Sequence, residues 1–117
     1  ATFGDKSKLT PEIHRHFTQP LARPAETKGC WIFPGQITAA SDWLADLWSQ
    51  RDRLEGKIKL IAWGMKDIAF REKELSRWTK HFPTARVARY PDAGHSLAEE
   101  KTPQLIDEVT LVLRDRP

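Results

Sequence analysis

The sequence has too few cysteines for an internal disulfide bond and no apolar run long enough to cross a membrane. Cys30 is the only cysteine among 117 residues, which is typical of proteins from reducing compartments. No segment approaches the roughly 20 apolar residues of a membrane helix, and the first residues contain no signal-like apolar block. We therefore expect a cytoplasmic protein without membrane contact. The chain begins with Ala1 rather than methionine, as a processed or excised piece of a longer protein would.

The sequence also lacks an excess of charge of one sign and a cluster of metal ligands. Its 19 basic and 16 acidic side chains are interleaved and give a net charge of +3, so we expect no nucleic-acid partner. His14 and His16 are two residues apart, but no cluster of cysteine or acidic residues accompanies them. We interpret them as solvated helix residues, and the sequence predicts neither a metal nor a cofactor.

The first half of the chain has a helical pattern. Hydrophobic residues make up 39% and charged residues 30% of the sequence, which favours one small folded domain over disorder. Thr10 and Pro11 begin a first helix, and prolines and glycines then break residues 18–36 into short pieces. Residues 36–54 predict a helix with a single apolar stripe. The stripe contains Ile37, Ala40, Leu44, Leu47, Trp48 and Leu54.

The second half alternates between strands and helices. Residues 57–64, "KIKLIAWG", are nearly all apolar and predict a strand that is covered on both faces. Residues 85–91, "ARVARYP", predict a second strand, with an amphipathic helix before it and a final helix after it. This order indicates a parallel pair of strands with crossover helices. The predicted buried stripe of the final helix contains Leu105, Ile106, Val109, Val112 and Leu113.

These elements predict an α/β fold in two segments. Residues 1–55 would form a helical, cap-like layer, and residues 56–117 a core with a short parallel sheet of two strands. A parallel sheet of only two strands is a poor structure by itself. The apolar first strand therefore suggests missing neighbours and an edge that invites pairing.

Asp67 and His95 are the candidate catalytic residues. Each follows a predicted strand and a glycine, Gly64 or Gly94. Because the carboxyl ends of adjacent parallel strands meet at one edge, we expect the two side chains to lie side by side. A carboxylate beside an imidazole fixes its tautomer and stabilises the imidazolium. Either residue alone is more often a turn cap or a surface residue, but the pair in this order favours two members of a hydrolytic triad.

The segments "LIAWGMKDIAF" and "YPDAGHSLAEE" resemble the last two core segments of α/β-hydrolases, and most of all those of haloalkane dehalogenases. The family's G-x-x-D pattern matches Gly64–Asp67, and its D-A-G-H pattern matches Asp92–His95. The stretch "GCWIFPGQI", with P-x-E before it, resembles the end of the family's helical cap. The resemblance extends from about Leu9 to Leu113. It implies a partial α/β-hydrolase fold in which Asp67 orients the histidine and His95 is the general base.

The resemblance also indicates a missing nucleophile. In the family an aspartate on a tight strand-to-helix turn attacks the carbon that carries the halogen, and histidine then activates water to hydrolyse the ester. Such a turn needs small residues on both sides, yet the sequence contains neither G-x-S-x-G nor G-x-D-x-G. Ser41, Asp42 and Asp46 lie within a helical pattern and are poor candidates. We therefore expect that this chain is the C-terminal portion of such an enzyme and that it is inactive alone.

The five tryptophans bear on the substrate and the core. Trp31 and Trp43 are predicted to line a pocket for an apolar small-molecule substrate, as in dehalogenase-like caps. Trp48 and Trp78 fall at helical spacing and are assigned to the core.

Two functions are compatible with these features, and whether the chain is an enzyme stays open. The first is a hydrolase segment that works with a complementary N-terminal hydrolase half. The second is a non-catalytic module, derived from the same fold, that binds a small molecule or assembles into a homo-oligomer through its strand edge. An N-terminal half encoded in frame or close by would favour the first, and a gene that encodes only this chain would favour the second.

Overall fold

A computed structural model of the protein describes residues 2–114, which fall into two compact units. The helical unit is Thr10–Leu54, and the sheet unit combines residues 2–9 with residues 55–114. Residues 2–9 are grouped with the sheet rather than with the helices. The division of the chain into a cap-like segment, 1–55, and a core segment, 56–117, stays a prediction.

The helical unit contains three α-helices: α1 (Pro11–Thr18), α2 (Lys28–Ala39) and α3 (Ser41–Ser49). Short 3₁₀ turns cover Gln19–Leu21, Pro24–Thr27 and Arg51–Leu54. Helix α1 begins as predicted, with Pro11 in its first turn and the Thr10 hydroxyl accepting a hydrogen bond from the Ile13 N–H at 3.2 Å.

Helix α2 corrects the prediction that residues 18–36 are broken into short pieces. It continues through Gly29, Pro34 and Gly35. A proline within a helix removes one N–H donor, here the one that would pair with the carbonyl of Cys30. Cys30 is exposed, so water can replace the lost donor, and the helix continues.

The sheet unit contains the predicted alternation of strands and helices. Strand β1 (Leu60–Gly64) is followed by α4 (Glu72–His81), β2 (Arg86–Tyr90), the short α5 (Leu97–Glu100) and α6 (Thr102–Arg114). The two strands are parallel, with Leu60 opposite Arg86 and Gly64 opposite Tyr90. Helices α4 and α6 both contact β1. The predicted α/β class with a two-stranded parallel sheet is confirmed, and it is consistent with a partial α/β-hydrolase fold.

A small apolar core lies between β1 and α4. Its buried members are Ile61, Leu75, Phe82 and Ala85. Leu75 is fully buried on the inner face of α4, and the half-buried Trp78 packs against the same core. The assignment of Trp78 to the core is therefore confirmed.

The predicted burial of two apolar segments, on α6 and β1, is wrong in extent. On α6, Ile106, Val109 and Leu113 are exposed. Strand β1 is only partly covered, since its buried residues are Ile61 and Gly64. In the helical unit the stripe is largely exposed as well, at Ile37, Leu44, Leu47 and Leu54. Two strands of five residues offer too little apolar surface to cover all the apolar faces that the sequence contains.

Within residues 2–114, no helix combines the length and the apolar character that crossing a bilayer requires.

Candidate active site

Asp67 and His95 meet at the carboxyl edge of the sheet. The Asp67 Oδ2 atom lies 2.9 Å from the His95 Nδ1 atom. The proximity predicted from the sequence is therefore confirmed. Their catalytic role stays a prediction, which is taken up below.

The two strands end level with each other, and this places the turns that carry the pair in contact. The Met65 N–H donates to the Tyr90 carbonyl at 2.9 Å, and the Lys66 N–H donates to the Ala93 carbonyl at 2.9 Å. Gly64 permits this close approach, because a Cβ atom there would lie 2.8 Å from the Ala93 carbonyl oxygen. The backbone therefore sets the separation of Asp67 and His95 before any side chain is placed.

The Asp67 carboxylate is fixed through both of its oxygens. While Oδ2 faces His95, Oδ1 accepts hydrogen bonds from the Ala69 N–H at 2.8 Å and the Phe70 N–H at 3.0 Å. The side chain is only 10% exposed. Burial acts to raise the pKa of Asp67, but the hydrogen bonds from Phe70, His95 and Ala69 outweigh it and hold that pKa below its ordinary value. The carboxylate is therefore ionised at neutral pH and accepts the Nδ1 proton of the imidazole.

The His95 imidazole is held on one side and open on another. Its side chain is 43% exposed, and the Phe70 ring stacks against it with centroids 5.5 Å apart and an angle of 28° between the planes. Because Nδ1 faces the carboxylate, Nε2 is directed away from it. An imidazole in this tautomer can accept a proton at Nε2 from a substrate or a water molecule.

An open cavity of about 180 Å³ lies beside the pair. Its walls are mostly apolar, and Trp63 is fixed there because its indole N–H donates to the Phe70 carbonyl at 3.0 Å. The cavity is lined by Ala62, Trp63, Gly64, Asp67, Phe70, Gly94, His95 and Leu97. Trp63, Phe70 and Leu97 were not predicted from the sequence as cavity residues. Their position within three residues of a motif residue is the one signal that could have identified them.

The other candidate residues lie in the helical unit. Trp31 and Trp43 are 83% and 63% exposed, and their role in a substrate pocket stays a prediction. Trp48 is half-buried, with the Arg51 guanidinium 5.3 Å from its ring centroid. Ser41, Asp42 and Asp46 lie on α3, as expected, and not on a strand-to-helix turn.

Metal ligands do not cluster in the described part of the chain. Residues 2–114 contain no group of three or more histidine, cysteine or acidic side chains that could hold a metal ion.

Comparison with known proteins identifies relatives of the chain, although no protein-family model matches it. Haloalkane dehalogenase 2 from Mycobacterium tuberculosis, like its counterpart from Mycobacterium bovis, is 31% identical over 99 residues. The match covers 83% of this chain and 35% of the relative.

Relatives with a different activity also match. The cis-3-alkyl-4-alkyloxetan-2-one decarboxylase of Shewanella oneidensis is 34% identical over 50 residues, which is 43% of this chain and 16% of the relative.

The chain spans about a third of the length of the dehalogenases that it matches, 35% in each case. Sequence similarity and the two-stranded parallel sheet lead to the same conclusion: the chain is a homologue of part of an α/β-hydrolase, and haloalkane dehalogenases are among its relatives.

Proposed function

We propose that this chain supplies the orienting acid and the general base of an α/β-hydrolase of the haloalkane dehalogenase type. The observation that carries the proposal is the 2.9 Å contact between Asp67 Oδ2 and His95 Nδ1. It occurs beside an open cavity, at the edge of the sheet where ligands of parallel α/β folds bind.

The proposed chemistry begins from an ester between the substrate and a nucleophilic carboxylate. His95 Nε2 takes a proton from water as the water oxygen bonds to the ester carbonyl carbon. The ester C–O bond then breaks, and the alcohol oxygen receives the proton from His95. The new carboxyl group releases its remaining proton to water, which regenerates the carboxylate. Asp67 keeps Nδ1 protonated and stabilises the imidazolium during this step.

The walls of the cavity suit an apolar substrate. Trp63, Phe70 and Leu97 contribute apolar surface, and the exposed edge of the imidazole adds one polar group. Apolar walls with a few convergent polar groups are typical of small-molecule sites. The role of Trp31 and Trp43 in a pocket for an apolar substrate is a separate part of this proposal, and their exposed indole rings are compatible with it.

We propose that the nucleophile comes from a complementary N-terminal hydrolase half. The 117 residues contain no G-x-S-x-G or G-x-D-x-G turn, and Ser41, Asp42 and Asp46 lie on helix α3. The curated dehalogenases are about three times as long as the matched part, since the match covers 35% of each. The chain alone therefore does not form the ester.

The first test is turnover by the isolated chain. We expect release of halide from haloalkanes, or of acid from esters, at the level of a His95→Ala control, because the first step has no nucleophile. Release well above that control would contradict the proposal that the nucleophile lies elsewhere.

The second test is complementation. The chain is co-expressed with the remaining part of the Mycobacterium tuberculosis dehalogenase, from which the matched segment has been removed. We expect halide release that the His95→Ala variant of this chain abolishes. Equal release with the unaltered chain and with the variant would show that His95 is not the base.

One observation favours a second function, non-catalytic self-assembly. Within residues 2–114, each strand is paired on one side alone, and Ile106, Val109 and Leu113 of α6 are exposed. A symmetric dimer could pair strand edges and cover such surface. Light scattering after size exclusion tests this function: a dimer supports it, and a monomer at all concentrations argues against it.

A further inference from the structure

A buried carboxylate that the proposed chemistry does not use lies beneath the His95 turn. Glu100, at the end of α5, is 5% exposed. Its Oε1 atom accepts hydrogen bonds from the Gly94 N–H at 2.8 Å and the Gly4 N–H at 3.1 Å, and its Oε2 atom accepts one from the Asp5 N–H at 2.8 Å. One side chain thus joins the residue before His95 to the N-terminal end of the described chain.

The residues on that side form a strap, defined here as residues 2–5. The Ser96 N–H donates to the Thr2 carbonyl at 3.2 Å, and the Ser96 hydroxyl donates to the Thr2 hydroxyl at 3.0 Å. Phe3 of the strap is 7% exposed. Gly94 is therefore tied to Glu100, Ser96 is tied to the strap, and His95 lies between these two attachments.

The strap and the turn touch backbone to backbone. A Cβ atom on Gly4 would lie 2.6 Å from the Ala93 carbonyl carbon, and one on Gly94 would lie 2.5 Å from the Gly4 nitrogen. Real Cβ atoms essentially never approach other atoms so closely, so a side chain at either position would force the two segments apart. Two glycines 90 residues apart in sequence therefore serve one contact, and this contact places the strap directly against the histidine turn.

We propose that Glu100 is a positioning residue for His95. It holds the strap and the turn together and thereby keeps the His95 imidazole hydrogen-bonded to the Asp67 carboxylate. Hydrogen bonds from N–H groups to a carboxylate are about twice as strong as those between neutral partners. A buried donor that loses its acceptor is destabilised, because no water molecule replaces the lost hydrogen bond. The role of Glu100 in catalysis rests on the function proposed above, whereas its role in holding the strap and the turn together does not.

The experiment compares Glu100→Gln with Glu99→Gln in the full chain. Glutamine keeps the shape of glutamate, but it replaces one acceptor oxygen with an NH₂ donor that would face an N–H group. Glu99 is adjacent and exposed, so Glu99→Gln makes the same change of charge outside the buried site. ¹⁵N-labelled histidine in the isolated chain reports the Nδ1–H resonance and the tautomer of His95, and these readouts need no turnover.

For Glu100→Gln we expect the hydrogen-bonded Nδ1–H resonance of His95 to broaden or disappear while the chain stays folded. We also expect amide-exchange protection at Gly94 to fall about tenfold, as the loss of one hydrogen bond implies. Glu99→Gln should match the unaltered chain in both measurements. An Nδ1–H resonance in Glu100→Gln equal to that in Glu99→Gln would overturn the proposal. If Glu100→Gln does not fold, amide exchange in the unaltered chain decides: protection of Gly4, Asp5 and Gly94 supports the proposal, and free exchange at these amides overturns it.

In the complemented enzyme, Glu100→Gln should lower kcat and leave KM nearly unchanged, because the residue acts through His95 and does not touch the substrate. Loss of the Nδ1–H resonance without turnover by any form of the enzyme would reject the proposed function but keep the positioning role. A normal resonance together with normal turnover would reject the positioning role and keep the function.

Discussion

The sheet unit and the helical unit carry similar apolar side chains but differ in what they bury. Every buried hydrophobic residue described lies in the sheet unit, namely Phe3, Ile61, Leu75, Phe82, Ala85 and Ala93. In the helical unit, by contrast, Trp31, Phe33 and Trp43 are all more than 60% exposed. The sheet unit thus supplies a core that fixes its own candidate site, whereas the apolar residues of the helical unit need a cover from outside that unit.

The largest expected difference between the units is catalytic. In the complemented enzyme, His95→Gln should lower halide release by about 10²–10⁴-fold, the usual contribution of general acid–base catalysis. His14→Gln, an exposed histidine on α1 of the helical unit, is the matched control and should leave the rate unchanged. Equal rates for the two variants would contradict the proposal that His95 of the sheet unit is the general base.

The next difference is in stability. Leu75 is fully buried in the sheet unit, and Leu47 is 46% exposed in the helical unit. Leu75→Ala should lower the free energy of unfolding by about 2–5 kcal/mol through lost apolar contact and a cavity. Leu47→Ala should change it by no more than about 0.5 kcal/mol. Urea unfolding followed by circular dichroism measures both, and similar losses would mean that the helical unit has a core of its own.

How far the sequence predicts the structure also differs between the two units. Periodicity and strand-end motifs identified β1, β2 and the meeting of Asp67 with His95, because local patterns and parallel pairing determine these features. Local breaker signals failed at α2, where one missing donor next to an exposed carbonyl does not end the helix.

The remaining features depend on contacts between residues far apart in the chain. Glu100 looked like one of several acidic residues in a helical stretch, and its burial arises from the strap some 95 residues earlier. The apolar stripe of α6 was predicted to be buried because amphipathic helices usually cover a core. A sequence pattern shows which face of a helix is apolar. It does not show how much apolar surface other elements offer to cover that face.

A third prediction concerns pH and the sheet unit alone. The folded-state pKa of Asp67 lies below its ordinary value, which is about 3.9 for an unperturbed aspartate. A lowered folded pKa stabilises the protein above the unfolded value, and this stabilisation is lost as pH falls through the folded value. The difference in unfolding free energy between the unaltered chain and Asp67→Asn should therefore shrink as the pH falls from about 5 to below about 4. Urea titrations at several pH values in this acidic range measure it, and a difference that grows between about pH 5 and about pH 3 would contradict the hydrogen bonds that Asp67 accepts.

The smallest expected effect concerns a polar group. The sheet unit contains a buried hydroxyl without a hydrogen-bond partner, whereas the helical unit contains exposed apolar side chains. Within residues 2–114 the buried hydroxyl of Tyr90 on β2 has no hydrogen-bond partner, and burial raises the pKa of Tyr90. Removing a buried hydroxyl that lacks a partner costs no hydrogen bond, so Tyr90→Phe should leave the isolated chain equally stable or more stable by about 1 kcal/mol. If the complementary half supplies a partner, the same substitution should destabilise the complemented enzyme. Thermal unfolding of both forms decides: loss of stability already in the isolated chain would mean that the sheet unit satisfies this hydroxyl without a second chain.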